Sequence, residues 1–454
     1  MSKRDPNDDL AALLVEARWS GAQLARAVNA LGADQGLRLR YDRTSVAHWL
    51  SGTRPRRPVP DLVAAALTHR VGHLITAHDT GLTQLQQAPA LVNSVQSSEA
   101  HTVQRLLDLW HADADPRKRA FLTLSAYSLA VPALPSWRTS LHTVAHGPTE
   151  EAGAKRLTTT HRDMTHTFAL LAEQHGGRVT EPLLAAYLRN MASPQLTTPA
   201  RSAQEQQEVF TATAQLTHLL ACMADDSGHY GLSQEYFRGA LQLARIAPDR
   251  RQYAITLRAM STQALRLRHV PQALRLADGA LSVLGSCADG ASLSFLYSQR
   301  AHAHARAGDR RQARADLRAA DRHHEQASSC PGPFGTYQRA GLEYQRFQTL
   351  AALRDQGPAL AALESCARHR ADGERRATAL THARLAEVYL SLRRLDAAVP
   401  HAQAFLAQYP LLHSAHADIA CRRLDEALAL FPRQREALAL REQARTLQDH
   451  GTDA

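Results

Sequence analysis

The sequence predicts an all-α protein in which a short N-terminal helical module precedes a long array of paired helices. Three observations carry this. Apolar residues recur at spacings of three and four through most of the 454 residues, the period of a helix with one buried face. Two short amphipathic stretches stand in tandem near the N-terminus, the second followed by a run of arginines. In the C-terminal half, small residues return at a fixed interval, with Ala240, Ala280 and Ala320 lying 40 residues apart.

The first helix is expected over residues 8–18, with Leu10, Leu13, Leu14 and Ala17 inward. Ser20 and Gln23 form a capping box that opens a second helix, whose stripe is Leu24, Ala27, Val28 and Leu31. Residues 37–41 (LRLRY) alternate like a strand and form a basic excursion. A third helix follows over 44–51. Val46, Trp49 and Leu50 face a core there, which leaves Thr44, Ser45, His48 and Ser51 outward. Gly52 stops this helix, and Pro55 and Pro58 keep it from restarting. Pro60 and Asp61 start a fourth helix that Gly72 closes, and residues 73–82 complete a five-helix module.

Short hydrogen-bonding side chains on an exposed helix face, flanked by arginines, suit a helix lying in the major groove of double-stranded DNA. The candidate DNA contacts are Gln23, Arg38, Arg40, Arg43, Thr44, Ser45, His48, Ser51, Arg54, Arg56 and Arg57. The stretches SGAQLARAVNALG and TSVAHWLSGTRPRRP together resemble the second and third helices of the phage-repressor (XRE-like) helix-turn-helix group. They depart from it in spacing, since about ten residues separate them where a turn of roughly 3–4 is usual.

Residues 83–98 are rich in Gln, Pro and Ser and read as a linker. Residues 99–202 are an irregular helical middle, with helices expected over 101–110, 117–130, 155–174 and 180–191. From 203 to 454 the array runs. Its motif is Ser233, Phe237, Ala240; then Ala273, Ala277, Ala280; then Ala313, Leu317, Ala320. Partner helices carry Tyr297, Ala301 and His304 before Gly308, and Leu385, Ala386 and Tyr389 before Ala398, Ala402 and Pro410. Around 359–366 the pattern is degenerate. Helices over 412–430 and 433–448 cap the end. Small residues at such spacing let paired helices approach closely, and the pattern resembles a tetratricopeptide repeat lengthened to 40 residues from about 34. The fold class is therefore an N-terminal helix-turn-helix DNA-binding domain (1–82) followed by a tetratricopeptide-like helical solenoid.

In this order of parts, and most strongly in YDRTSVAHWLSGTRPRRPVPDLVAAALTHRVG and VFTATAQLTHLLACMADDSGHYGLSQEYFRGALQLA, the chain resembles a family of actinobacterial transcriptional regulators, often negative regulators of sporulation and antibiotic production. The resemblance implies operator binding as a homodimer, with the array as sensor or oligomerisation surface. A looser similarity joins it to peptide-sensing regulators that clamp a peptide backbone with asparagines. The four asparagines here, Asn7, Asn29, Asn93 and Asn190, all lie outside the array. Gln299, Gln338, Gln345 and Gln348 are the substitutes the array offers.

The net charge of +10 favours a polyanionic partner. The cysteines Cys222, Cys287, Cys330, Cys366 and Cys421 are far apart and read as reduced thiols in helices, neither a disulfide framework nor a zinc site. No signal peptide opens the chain and nowhere do 18 apolar residues stand together, so a cytoplasmic protein with no membrane partner is expected. Nucleotide, nucleophile and metalloprotease signatures are absent. His142/His146 and His413/His416 have helical spacing without a further ligand and read as solvated surface histidines, and Asp225-Asp226 reads as the turn of the first repeat. No catalytic residue, metal or cofactor is expected.

The expected function is that of a sequence-specific DNA-binding transcriptional regulator, a repressor of development or secondary metabolism. The alternatives are a protein-interaction adaptor whose main surface is the array, and a repressor gated by a peptide or small molecule bound there.

Overall fold

The computed structural model describes residues 6–34, 37–56, 58–71, 75, 79–82, 99–114, 127–128, 131–132, 134–135, 151–198, 202–285, 289–326 and 339–452. Among these every regular element is helical. The N-terminal module holds α1 (Asp8–Ala17), α2 (Gly21–Asp34), α3 (Arg43–Leu50) and α4 (Val59–Val71). Its core is built from Leu10, Leu14, Leu24, Val28, Val46, Trp49, Leu62 and Leu67, with Leu13 and Leu50 at its edge. Asn7 ties the module together. Its side chain caps α1 through the Leu10 N–H (3.0 Å), its own N–H donates to Leu50 O at the end of α3 (2.8 Å), and its amide donates to Thr80 O (2.9 Å).

The strand-like stretch 37–41 pairs with no strand. Leu37, Leu39 and Tyr41 pack on the module core as the alternation predicts, while Arg38 and Arg40 are exposed. Asn29 of α2 takes the place of a sheet neighbour: it accepts the Tyr41 N–H (2.9 Å) and donates to Tyr41 O (2.7 Å). The helix expected over 73–82 lies mostly outside the described residues, and its described end, at 79–81, is a turn.

The middle of the chain contains α5 (Glu99–Ala114), α6 (Glu151–His175), α7 (Gly177–Tyr187), which runs on through a π-helical turn (Leu188–Ala192), and α8 (Ser193–Thr197). The helix expected over 117–130 is not reached at its far end: at Tyr127 and Ser128 the chain is non-helical, because side-chain amides capture the backbone of Ser128. The array then consists of α9 (Ala203–Asp226), α10 (Tyr230–Ile246), α11 (Arg250–Arg266), α12 (Val270–Leu284), α13 (Gly290–Arg306), α14 (Arg310–Glu325), α15 (Arg339–Ala352), α16 (Gln356–Arg368), α17 (Arg375–Ser391) and α18 (Leu395–Gln408), followed by α19 (Ala415–Leu428) and α20 (Arg435–Thr452).

Consecutive helices pair as hairpins from α9/α10 to α17/α18. One local device recurs at the turn of each. Gly228, Arg268, Gly308, Arg354 and Arg393 all adopt left-handed φ. The next residue's N–H then reaches back to the carbonyl five residues upstream: His229 to Ala224, His269 to Ala264, Asp309 to His304, Asp355 to Leu350 and Arg394 to Tyr389. These are Schellman closures, which satisfy carbonyls that a helix end would otherwise leave open. They mark α15/α16, the degenerate stretch of the sequence, as a full member. The period fails there because the extra residues fall in the connection between α14 and α15 and leave the hairpin itself intact. The small positions Ser233, Ala240, Ala273, Ala277, Ala280, Ala313, Ala320, Ala398 and Ala402 are all buried where paired helices meet.

Neighbouring hairpins are joined by buried amides and hydroxyls as well as by apolar packing. Gln299 of α13 donates to Ser261 (3.0 Å) and accepts from Thr262 (3.0 Å), both on α11, and from Gln345 of α15 (3.1 Å). Gln263 of α11 likewise donates to Ser233 of α10 (3.0 Å) and Asp225 of α9 (2.9 Å). Left-handed backbone costs an L-residue about 1–2 kcal/mol, a penalty glycine lacks but partly gives back in chain entropy. Arg354→Gly is therefore expected to stabilise the chain by about 0.5–1 kcal/mol in urea unfolding; an unchanged or lowered midpoint contradicts this account of the turn.

Candidate functional site

Three surfaces collect polar chemistry. The first is α3 and its flanks. Asp42 caps the helix, accepting the Ser45 N–H and hydroxyl (both 2.8 Å). Hydrogen bonds from the Ser45 backbone and side chain hold the Asp42 carboxyl below its usual range. Ser45 is thus half-buried and engaged in the cap, while Arg43, Thr44, His48 and Ser51 are exposed along the helix, and Arg38, Arg40, Arg54 and Arg56 are exposed beside it. Tyr41 packs edge-on against Trp49 at 5.1 Å behind this face. Gln23 is exposed, but its side-chain oxygen accepts the Ser20 N–H (2.8 Å) in the capping box read from the sequence. Arg57 lies outside the described residues.

The second surface belongs to the first helices of the hairpins, α11 to α17. Arg258 lies over the Phe295 ring at 3.8 Å, Arg300 over Tyr297 at 5.4 Å and Arg384 over Phe347 at 5.5 Å. Arg300 is also held flat by paired bonds to Asp316 (2.7 and 2.8 Å). Arginines held over rings, and for Arg300 and Arg384 also paired with a carboxylate, lose little freedom on contact with a partner. Gln299 and Gln345, read as groove amides, are buried and spent on holding hairpins together. Gln348 is half-buried, and Gln338 lies outside the described residues.

The third surface is on the second helices. Gln234 of α10 and Gln272 of α12 hold the main chain of Ser128. The Ser128 N–H donates to Gln234 Oε1 (2.7 Å), and Ser128 O accepts from Gln234 Nε2 (2.6 Å) and Gln272 Nε2 (3.0 Å). Tyr127 donates its hydroxyl to Gln272 Oε1 (3.1 Å) and stacks on His269 at 5.5 Å. Sequence reading missed this pair. Its only local signal is two glutamines on otherwise apolar helix stripes.

Behind these faces sits a clasp that corrects two readings. Asp225 and Asp226 end α9 as the turn reading has it, yet Asp226 is buried and gathers distant elements. It accepts from Gly177 N (2.8 Å), from Arg376 Nε and Nη2 of α17 (2.8 and 2.6 Å) and from Ser414 (2.7 Å), with His416 Nδ1 at 3.0 Å. Burial works against the charge on Asp226, but Arg376 and His416 outweigh it and hold the carboxyl well below the usual carboxylate range. His416 is accordingly no surface histidine, and burial pushes it down. His413 bonds through its main chain to His175 (2.8 Å) and Arg178 (3.0 Å). Gly176 between them has φ of +85°, and a Cβ there would meet His413 O at 2.6 Å. Helix α19 therefore does more than cap the array, since it begins against α7 and the end of α9.

Cys222, Cys366 and Cys421 are free thiols, as the sequence predicts, and Cys287 and Cys330 lie outside the described residues, as do His142 and His146. Burial pushes Cys222 and Cys421 up to about 12, far from a reactive thiolate. No group of three metal-ligating side chains occurs among the described residues, and none of their helices is long and apolar enough to cross a membrane.

Removing Asp226 leaves Arg376 and the Gly177 N–H without their main partner in a buried setting. Asp226→Ala should cost about 3 kcal/mol and speed amide exchange in α17 and the start of α19 while sparing α1 to α4. Unchanged exchange at Arg376 and His416 refutes the clasp. Burial also drives His218 and His302 down to about 3 from 6.5. Stability is therefore full above pH 6.5 and falls toward pH 3, as the unfolded chain takes up protons that the folded one refuses, by about 1.4 kcal/mol per pH unit per histidine. His218→Gln should remove one such share of the slope between pH 4 and 6, and a slope equal to that of the unsubstituted chain contradicts it.

Comparison with known proteins gives a match of residues 10–83, spanning α1 to α4, to the family described as the SP15 N-terminal domain. No curated protein matches. Among solved structures the chain is similar to one titled "Crystal structure of APC/C hetero-tetramer Cut9-Hcn1", at 14% identity and a TM-score of 0.33, over 86% of this chain and 63% of that one. It thus spans a little under two thirds of that structure's chain. What the fold itself establishes is that this is a helical repeat protein.

Proposed function

We propose that the chain is a protein-interaction scaffold whose repeat array is its main working surface. The observation that carries this is the row Arg258–Phe295 and Arg300–Tyr297 on successive first helices, continued by Arg384 seated over the buried Phe347 ring. Arginine and aromatic residues are the types that dominate binding energy at protein interfaces, and bracing them in advance reduces the ordering cost of association. The reading assigns the chain no reaction, metal or cofactor.

A second reading rests on α3. Arg43, Thr44, His48 and Ser51 are exposed on this helix and Arg38, Arg40, Arg54 and Arg56 are exposed beside it, which supports a helix that reads double-stranded DNA. On that reading the chain is a cytoplasmic transcriptional regulator, a homodimer presenting two α3 helices to operator half-sites, with the array as its partner or signal surface.

One experiment separates the two. Full-length chain carrying Arg258→Ala and Arg384→Ala, and a second carrying Arg54→Ala and Arg56→Ala, are compared with the unsubstituted protein by in-cell crosslinking and by selection of genomic fragments at near-physiological salt. The scaffold reading expects the first variant to lose specific crosslinked proteins at least 10-fold with its melting point held, and fails if the partner set is unchanged. The DNA reading expects the second variant to bind all fragments more weakly and His48→Ala to change the selected sequence. Fragments bound equally by all forms rule it out.

A further inference from the structure

The array already holds non-helical main chain at Tyr127 and Ser128, and the described residues Val131 and Leu134 further along pack beside it. We propose that the groove on α10 and α12 is a binding site for an extended peptide of a protein partner, and that the chain's own Tyr127, Ser128, Val131 and Leu134 occupy it as an internal ligand. This groove is built from second helices, so it is separate from the arginine–aromatic face.

Gln234 and Gln272 are almost completely buried, and both direct their amides at the backbone of the bound segment. A carboxamide has one donor side and one acceptor side, the same pair that an extended residue offers, so Gln234 engages Ser128 as a strand neighbour does. Those bonds read no side chain, and any residue with an N–H at that place satisfies them. Selectivity comes from the flanks. The Tyr127 ring stacks on His269 with the planes 8° apart and its hydroxyl reaches Gln272. Val131 packs on the core of the first hairpins. Leu134 crosses α12 at Gly279, where a Cβ would come within 3.1 Å of Leu134 Cδ2. The geometry takes an aromatic residue, a small residue directly after it, and aliphatic residues three and six positions further on.

The internal segment is tethered at both ends, by α5 on one side and α6 on the other. A tether of this kind holds a ligand at an effective concentration on the order of millimolar. A free peptide competes poorly against that until the internal segment loses one of its own contacts. Tyr127→Ala removes the stacking and the hydroxyl bond while leaving the groove intact.

The probe is a fluorescent peptide of residues 125–136 (SAYSLAVPALPS), titrated into full-length chain and followed by anisotropy. The Tyr127→Ala chain is expected to bind it at least 10-fold more tightly than the unsubstituted chain. Methylating the peptide nitrogen at the position of Ser128, which deletes the donor to Gln234, is expected to cost at least 10-fold, and Gln234→Met in the Tyr127→Ala chain the same. Equal affinity for both chains, or indifference to the methylated peptide, overturns the proposal. The methylated peptide leaves the protein untouched, so that arm stands even if the Gln234→Met chain folds poorly. Loss of partners through Arg258 and Arg384 is read independently of any of these outcomes.

Discussion

A single buried carboxylate sets the terms for the array. Asp226 is out of water, where an unpaired charge costs several kcal/mol, and so its donors must be in place whenever the chain is folded. Those donors are the Gly177 N–H at the start of α7, Arg376 on α17 and Ser414 at the cap of α19, which lie 49, 150 and 188 residues away along the chain. A repeat array held only by nearest-neighbour packing is free to open and close like a spring. Here the first hairpin is bonded to the fifth and to the helix after it, so the curvature is fixed by chemistry at one point. The buried amides of Gln263 and Gln299 then fix the register of the hairpins between. Each must find its partners across a hairpin boundary, and only one stacking of the hairpins supplies them all.

What was legible in the sequence was whatever a helix writes locally. The stripes of α1, α2 and α3, the Ser20–Gln23 capping box and the small residues of the second helices all follow from periods of three and four. The structure puts them where those periods place them. The broken repeat at 359–366 has a local cause as well, because the insertion sits in a connection and shifts the count without touching the hairpin. What was illegible depends on distance along the chain. Asp226 and His416 resemble turn and surface residues because the partners that bury them lie far away in sequence, while His413 stays exposed and joins the clasp through its main chain alone. The non-helical conformation at Ser128 has the same origin. Residues 117–130 have helical periodicity, yet at Ser128 three bonds from Gln234 and Gln272 replace the helical ones.

The N-terminal module meets a related problem with a different device. The excursion between α2 and α3, eight residues long once α2 is seen to run to Asp34, ought to loosen the angle between them. Instead the Asn29 amide binds the main chain of Tyr41 on both its donor and its acceptor side, Leu37 and Leu39 fill the gap beside α2, and Tyr41 abuts Trp49 of α3. The excursion is thus fastened at its far end immediately before the Asp42 cap. The start of α3 is set by Asn29 and its end by Asn7, so the exposed face of α3 is carried on a helix fixed at both ends.

Asn29 on Tyr41 and Gln234 on Ser128 are the same interaction used for two purposes. In both, a side-chain amide supplies to an isolated extended residue the pair of bonds that a neighbouring strand would give, which is how an all-helical protein can hold non-helical backbone without building a sheet. The difference lies in what surrounds them. Tyr41 is covalently close to Asn29 and belongs to the module's core, so that clamp has one possible occupant. Ser128 is more than 100 residues from Gln234 in the chain, and the surfaces that select its neighbours are a histidine ring and a glycine gap on the outside of a helix pair. A clamp that reads only backbone, placed on a surface and filled by a segment remote in sequence, has no chemical means of telling that segment from another of the same shape.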